Sequence, residues 1–325
     1  MNTSPRHAAW LGVVLLLASP AAPAADWALR FDAPWVDVGG HDQHALTIRN
    51  RDTSGTPAFE TGAAIDVVWP SALNYGFAVK RLEHGSGWGF DFFYYGVTAD
   101  GLRRTAAGSA TNEVTFAASD QSYSSTDPAT VLYYDLREDN RLEAWTADVY
   151  YQRTLVAGLE LQFGLRFADF DNDHLSVLGI EGVEGTFLET SSNYPRMMGP
   201  LVGITGALGE GKSRIEAYLG QSLVAGRASL KYGSEHFTGT PAAPTVDDSR
   251  FFSDFVDVVI PISELRLRYT YRLTDQLSLG TGLAGQAWWD VQVPPGVIPD
   301  PNASQALQEN TVVFYSVLAS VEWRF

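Results

Sequence analysis

The chain ends on Thr311 to Phe325, TVVFYSVLASVEWRF. Val313, Tyr315, Val317, Ala319, Val321, Trp323 and Phe325 fall on one face of this stretch, while Ser316, Ser320, Glu322 and Arg324 share the other with Val312, Phe314 and Leu318. A period of two puts successive side chains on opposite sides of a β-strand. One face stays apolar up to a terminal aromatic residue. That suits either the edge of a soluble β-sandwich or the wall of a barrel whose outer face meets lipid, and the rest of the chain decides between them.

The same alternation recurs. Trp145, Ala147, Val149 and Tyr151 alternate with Thr146, Asp148, Tyr150 and Gln152; after the turn Arg153 to Gly158, Leu159, Leu161, Phe163, Leu165 and Phe167 alternate with Glu160, Gln162, Gly164, Arg166 and Ala168. Ten such residues make about 33 Å of strand, enough to cross a bilayer core at a tilt. Strands of soluble domains run to about five or six residues. Met197 to Leu208 and Arg214 to Val224 flank the turn Gly209-Glu210-Gly211-Lys212, and Leu273-Thr274-Asp275-Gln276 separates the end of Phe251 to Arg272 from Leu277 to Trp289. Polar stretches at Asp169 to Arg196, Gly226 to Arg250 and Val293 to Asn310 read as long loops between these hairpins, and Thr98 to Asn140 as the longest. Tight turns at one end and long loops at the other are the asymmetry of an outer-membrane barrel, with the tight turns in the periplasm.

At the other terminus, Arg6 and His7 precede the apolar run Ala8 to Ala18 and the small-residue segment Ala22-Pro23-Ala24. A basic start, a short apolar run and an A-x-A site read as a secretory signal peptide over residues 1–24. The run is too short for a membrane-spanning helix. Beyond it lie 21 Lys and Arg against 38 Asp and Glu, which argues against nucleic acid as a partner. The absence of cysteine removes disulfides, thiolate metal sites and a lipid-bearing cysteine. Thirty glycines and 12 % aromatic residues suit a transmembrane barrel.

The expected fold is therefore all-β: a transmembrane antiparallel up-and-down barrel of about ten strands, or twelve if pieces of Thr98 to Asn140 pair as a hairpin. The barrel is expected over residues 60–325. Residues 25–59, where Gly39, Gly40, Asn50, Gly55 and Pro57 interrupt any pattern, read as a periplasmic lead-in. A chain ending on an aromatic carboxylate with apolar residues two and four positions earlier resembles the C-terminal signal of bacterial outer-membrane barrels. That resemblance implies outer-membrane lipids and the barrel-insertion machinery, acting on the strand ending at Phe325, as partners in a Gram-negative cell.

Motifs for chemistry are sparse. His84-Gly85-Ser86-Gly87 sets a Ser beside a His, as an outer-membrane lipid hydrolase requires, but no G-x-S-x-G frame surrounds Ser86, and a Gly-rich turn is the simpler reading. Asp169, Asp171 and Asp173 have the spacing that opens a calcium loop, yet His174 stands where Gly is needed and Ile180 where the closing Glu belongs. No cofactor, metal or catalytic residue is expected.

What remains is the polar face of the strands. Asp148, Glu160, Arg166, Arg214, Glu216, Arg266, Arg268, Arg272, Gln286, Glu322 and Arg324 all lie opposite apolar faces, and in a barrel they point inward. A charge on the lipid side near the midplane costs about 2 to 4 kcal/mol. In a wide, wet bore these residues line a pore for ions or small solutes; in a narrow one they pair into a plug. Gly164-Leu165-Arg166-Phe167-Ala168, Gly199-Pro200-Leu201-Val202-Gly203, Ser222-Leu223-Val224-Ala225-Gly226 and Gln286-Ala287-Trp288, spread over residues 142–290, resemble the pore-forming major outer-membrane protein family of the Legionella type. That family commonly carries Phe and a further Gly ahead of the Gly-Pro pair, where this chain has Pro195-Arg196-Met197-Met198. The resemblance implies a porin-like, passive and weakly selective channel without enzymatic activity. The reading set against it is a narrow structural or adhesive barrel whose outer loops bind a surface partner.

Overall fold

The computed structural model describes residues 26–39, 44–52, 59–66, 69–83, 85–106, 112–116, 121–123, 133–180, 184–209, 211–240, 243–293 and 308–325. The expected signal peptide, 1–24, and most of the Pro-rich stretch before the last strand lie outside the described residues. Fifteen strands occur among them. They are β1 (Asp26–Gly39), β2 (His44–Asp52), β3 (Phe59–Asp66), β4 (Ala72–Leu73), β5 (Tyr75–Glu83), β6 (Ser86–Ala106), β7 (Asn112–Phe116), β8 (Gln121–Tyr123), β9 (Tyr133–Val156), β10 (Leu159–Ile180), β11 (Glu184–Leu208), β12 (Ser213–Thr240), β13 (Ala243–Arg272), β14 (Leu277–Val293) and β15 (Gln308–Arg324).

Ten of these, β1, β5, β6 and β9 to β15, form one antiparallel sheet that closes on itself, because β15 pairs with β1 from Ala28↔Arg324 to Gly39↔Val313. Closure leaves neither of these two strands with an open edge to lipid. Trp27 and Phe325 exchange backbone hydrogen bonds of 3.1 and 3.0 Å, so the start of β1 and the end of β15 meet at the tight-turn rim. The expected lead-in is thus corrected: Asp26–Gly39 is the first barrel strand. Its inward residues Arg30, Asp32 and Pro34 disguise it, while Phe31 and Trp35 on the outer face stay apolar and exposed. Phe59–Asp66, expected to open the barrel, instead pairs with β2, and β2 pairs with β7, in a separate four-stranded sheet completed by β8.

The long loops are corrected too. β10 and β11 stay paired out to Ile180↔Glu184, and β12 and β13 to Thr240↔Ala243, through stretches whose composition reads as loop. Above the lipid an outer face has no reason to be apolar, so the alternating signal fades while the hydrogen-bond ladder, templated by its neighbours, continues. The tight turns fall where the sequence places them, around Gly158, Gly209 to Ser213 and Leu273 to Leu277.

On the outer face Val202, Leu219, Leu265, Leu283, Val317 and Val321 are 44–59 % exposed, an apolar belt with rings at both borders. Trp88, Tyr151 and Phe163 cluster near the tight turns, with ring centroids 5.4 Å apart in each successive pair. Tyr75 stacks on Tyr94 at 5.1 Å, and Phe92 on Trp145 at 6.2 Å, on the other border. Beyond that border the outer face carries Asp139, Arg141, Lys231 and Ser253, all exposed. Rings that are apolar in the body and polar at the tip settle at membrane interfaces.

Placing a cation in the belt tests this assignment. Leu283→Arg is expected to destabilise the barrel by about 2–4 kcal/mol in denaturant titrations from lipid vesicles, whereas Ser253→Arg above the belt shifts it by less than about 0.5 kcal/mol.

Candidate functional site

Side chains facing the bore are layered. At the tight-turn end they are charged, in the middle charged and tightly paired, next apolar, and beyond the apolar layer polar again at Asn140, Asn172, His174 and Ser192. The apolar layer joins Val36, Phe93, Leu142, Tyr194, Ile262 and Trp288, each at most 3 % exposed, with further aliphatic and aromatic neighbours. Tyr95 stacks on Phe314 at 5.0 Å, and Phe170 meets Trp288 at 5.6 Å. Inward glycines let rings lie flat against the wall. A Cβ on Gly89 would overlap the Tyr150 ring, and one on Gly203 or Gly220 the ring of Tyr218.

The middle layer centres on Arg166, wholly buried. Its Nε donates to Asp148 Oδ1 at 2.7 Å, and Nη2 donates to Asp148 Oδ2 and to Glu264 Oε2, both at 2.6 Å. Asp148 stands beside it on β9, but Glu264 reaches it from β13, three strands round the wall. Arg266 Nη1 donates to Asp91 Oδ2 at 3.0 Å, and its Nε lies 2.9 Å from Glu264 Oε1 at an angle that makes an ion pair without a hydrogen bond. The Arg266 guanidinium also covers the Tyr218 ring at 4.3 Å and the Phe93 ring at 4.9 Å. Tyr150 donates to Asp91 Oδ1 at 2.9 Å, and Arg30 Nε donates to Asp32 at 2.7 Å. The cavity left beside this layer is about 40 Å³, room for a few waters. Side chains, not solvent, fill the bore at this level.

Nearer the tight turns, Arg268 pairs with Glu216 and reaches Glu322 at 3.4 Å, Arg324 pairs with Glu322 at 2.7 Å, and Arg214 with Glu216 at 3.0 Å. A vestibule of about 390 Å³ opens there to the periplasmic side.

Of the residues expected to line a pore, Asp148, Arg166 and Arg266 meet in the central network, and Glu216, Arg268, Glu322 and Arg324 in the lower one. Gln286 accepts from Trp288 Nε1 at 2.8 Å, between the charged and apolar layers. Glu160 and Arg214 line the vestibule, and Arg272 is exposed at the rim, outside both networks. Arg30, Asp32, Lys80, Asp91 and Glu264 were not anticipated. Glu264 shares the parity of Arg266 and Arg268 two and four positions on, which is a readable signal; Asp91 is hidden among Phe90, Phe92 and Phe93.

The other sequence motifs do not assemble. Ser86 Oγ donates to the Glu83 carbonyl at 3.3 Å within a hairpin turn, and His84 lies outside the described residues. Asp169, Asp171 and Asp173 occupy the outer face of β10, not a loop, just above the upper ring border. Burial first, then the Asp169, Asp173 and Glu143 carboxylates, push the Asp171 carboxyl up to about 7.

No family model matches the chain, and no curated protein matches it in sequence, so the likeness to the Legionella-type family has no support from either comparison. Among solved structures, the outer membrane protease OmpT from Escherichia coli is similar at 10 % identity and a TM-score of 0.45, over 94 % of this chain and 100 % of that one. The toluene transporter TodX from Pseudomonas putida is similar at 10 % identity and a TM-score of 0.34, over 96 % and 93 %. The toluene transporter TbuX from Ralstonia pickettii also gives 10 % and 0.34, over 95 % and 93 %. Likeness at these scores carries no argument about activity. The closed ten-stranded wall, its apolar belt and its ring borders make this protein a bacterial outer-membrane β-barrel.

Removing one partner of a buried ion pair strands the other. Arg166→Met, which leaves Asp148 and Glu264 unbalanced, is expected to cost about 3–5 kcal/mol in denaturant titrations. Replacing Asp148, Arg166 and Glu264 together by Leu, Met and Met should recover most of that loss.

Proposed function

We propose that this outer-membrane barrel is a channel held shut at rest, passing small solutes or ions only when the charged layer across its bore rearranges. It is not proposed to be an enzyme. The observation that carries this reading is Arg166, wholly buried yet balanced by carboxylates on β9 and β13. A bore closed for stability alone is as well filled by apolar side chains, as it is in the layer above. Buried ion pairs add little net stability over such packing. Charges kept at this level fit a gate whose members can exchange partners with water or a permeating ion. The freely open, passive porin expected from the sequence is not part of the proposal, because its lining residues are engaged with one another.

A second reading treats the barrel as a permanently sealed platform. The strands favour it, since β12 and β13 run 28 and 30 residues and carry the sheet well past the belt. Single-channel recording in planar bilayers separates the two. For the gated channel, wild type is expected to show brief, infrequent steps, and Asp148→Asn with Glu264→Gln sustained steps with a reversal potential shifted towards anions. Silence from both proteins, each verified as folded, favours the sealed platform.

A further inference from the structure

The vestibule at the tight-turn end is polarised in a way that neither a sealed floor nor a simple ion pathway requires. Its floor is formed by Lys80, Glu216 and Arg268, which also border the small cavity above. Along this wall Arg214, Glu216, Arg268, Glu322 and Arg324 form one connected run of ion pairs in which three cations share two carboxylates. One positive charge is left over. Lys80 adds a second: its Nζ lies 5.9 Å from the Tyr150 ring centroid, and it makes no salt bridge among the described residues. Two polar atoms in the same lining are buried without a hydrogen-bond partner, Arg268 Nη1, a donor, and Gln152 Oε1, an acceptor, on residues 9 % and 2 % exposed. A buried polar atom without a partner costs about 1–3 kcal/mol unless water or a ligand meets it.

The outer part of the vestibule, where the Arg214 and Arg324 side chains are 39 % exposed, also holds two carboxylates outside that run. Glu160, just after the β9–β10 turn, accepts only a 3.4 Å hydrogen bond from Gln152 Nε2, and Asp275 stands exposed in the β13–β14 turn; neither makes a salt bridge among the described residues. Lys80 and Arg268 beside the single carboxylate of Glu216 at the floor, Glu160 and Asp275 further out, and spare hydrogen-bonding capacity between them complement a molecule with a carboxylate at one end and an ammonium at the other.

We propose that the periplasmic vestibule binds a small zwitterion, a free amino acid or dipeptide, with its carboxylate at Lys80 and Arg268 and its ammonium towards Glu160 and Asp275. A dipeptide fits within about 390 Å³. The assignment rests on the vestibule alone and does not need the passage above it to open.

Calorimetric titration of the folded protein in detergent micelles with alanyl-alanine, acetate and ethylamine tests it. Saturable 1:1 binding is expected for the dipeptide, with each monovalent fragment weaker by about tenfold or more. Lys80→Met should weaken the dipeptide by about tenfold, and Asp275→Asn, an exposed turn substitution that leaves the fold intact, by about threefold. The proposal is overturned if wild type gives no saturable heat with the dipeptide, if acetate binds as tightly, or if both variants fold and bind as wild type does. Should Lys80→Met fail to fold, Asp275→Asn decides alone. A silent bilayer would count against the gated channel and leave this result untouched.

Discussion

The constraint on which the rest of the molecule depends is the lack of water in hydrocarbon to satisfy backbone N–H and C=O groups. A sheet in that medium must have no open edge in the wall, so the first strand has to find the last. Asp26–Gly39 and Gln308–Arg324 do so over twelve register pairs. Closure fixes which residues face in, and with ten strands it makes the bore narrow enough for side chains to fill.

How that bore is filled divides the molecule along its axis. Away from the tight turns it is packed like a protein interior, rings against aliphatic side chains, with Trp288, Phe314 and Leu142 at most 1 % exposed. At the level of Arg166 the filling becomes ionic. Guanidinium groups suit this role because each offers five donors to carboxylates arriving from different strands, and they stack on neighbouring rings as well. The inward glycines serve the same end by letting Tyr150 and Tyr218 lie against the wall and support the charged layer from the side. The two halves differ in consequence: an apolar layer opens only by displacing side chains, whereas an ionic layer can open by exchanging partners.

The membrane class, the tight turns and the inward face of most strands are legible because lipid imposes apolar residues at every second position, and that pattern survives in any one strand read alone. What sequence reading misses lies where lipid does not act. Beyond the belt, residues 169–180, 184–196, 226–240 and 243–250 remain strands because their neighbours pair with them, although their composition is that of loops. In β1 the inward side carries Arg30, Asp32 and Pro34, so too few apolar residues remain to mark a strand. The candidate site was half legible. Parity identifies Asp148, Arg166, Arg266 and Arg268 as inward, but that Glu264 reaches Arg166 across the bore depends on how many strands close the barrel, which no local pattern specifies.

Closure between β1 and β15 is the central claim, and the absence of native cysteine permits a direct measurement. Ala33 and Ala319 face each other across that seam on the outer wall, both exposed. Directly opposed residues of antiparallel strands have Cα atoms about 4.5–5.5 Å apart, within the span of a disulfide. In the Ala33→Cys, Ala319→Cys protein, oxidation after folding should give near-complete cross-linking, read as loss of free thiol and a mobility shift reversed by reductant. Two freely labelled thiols in the folded protein would contradict the closed seam and return residues 25–59 to a lead-in outside the barrel.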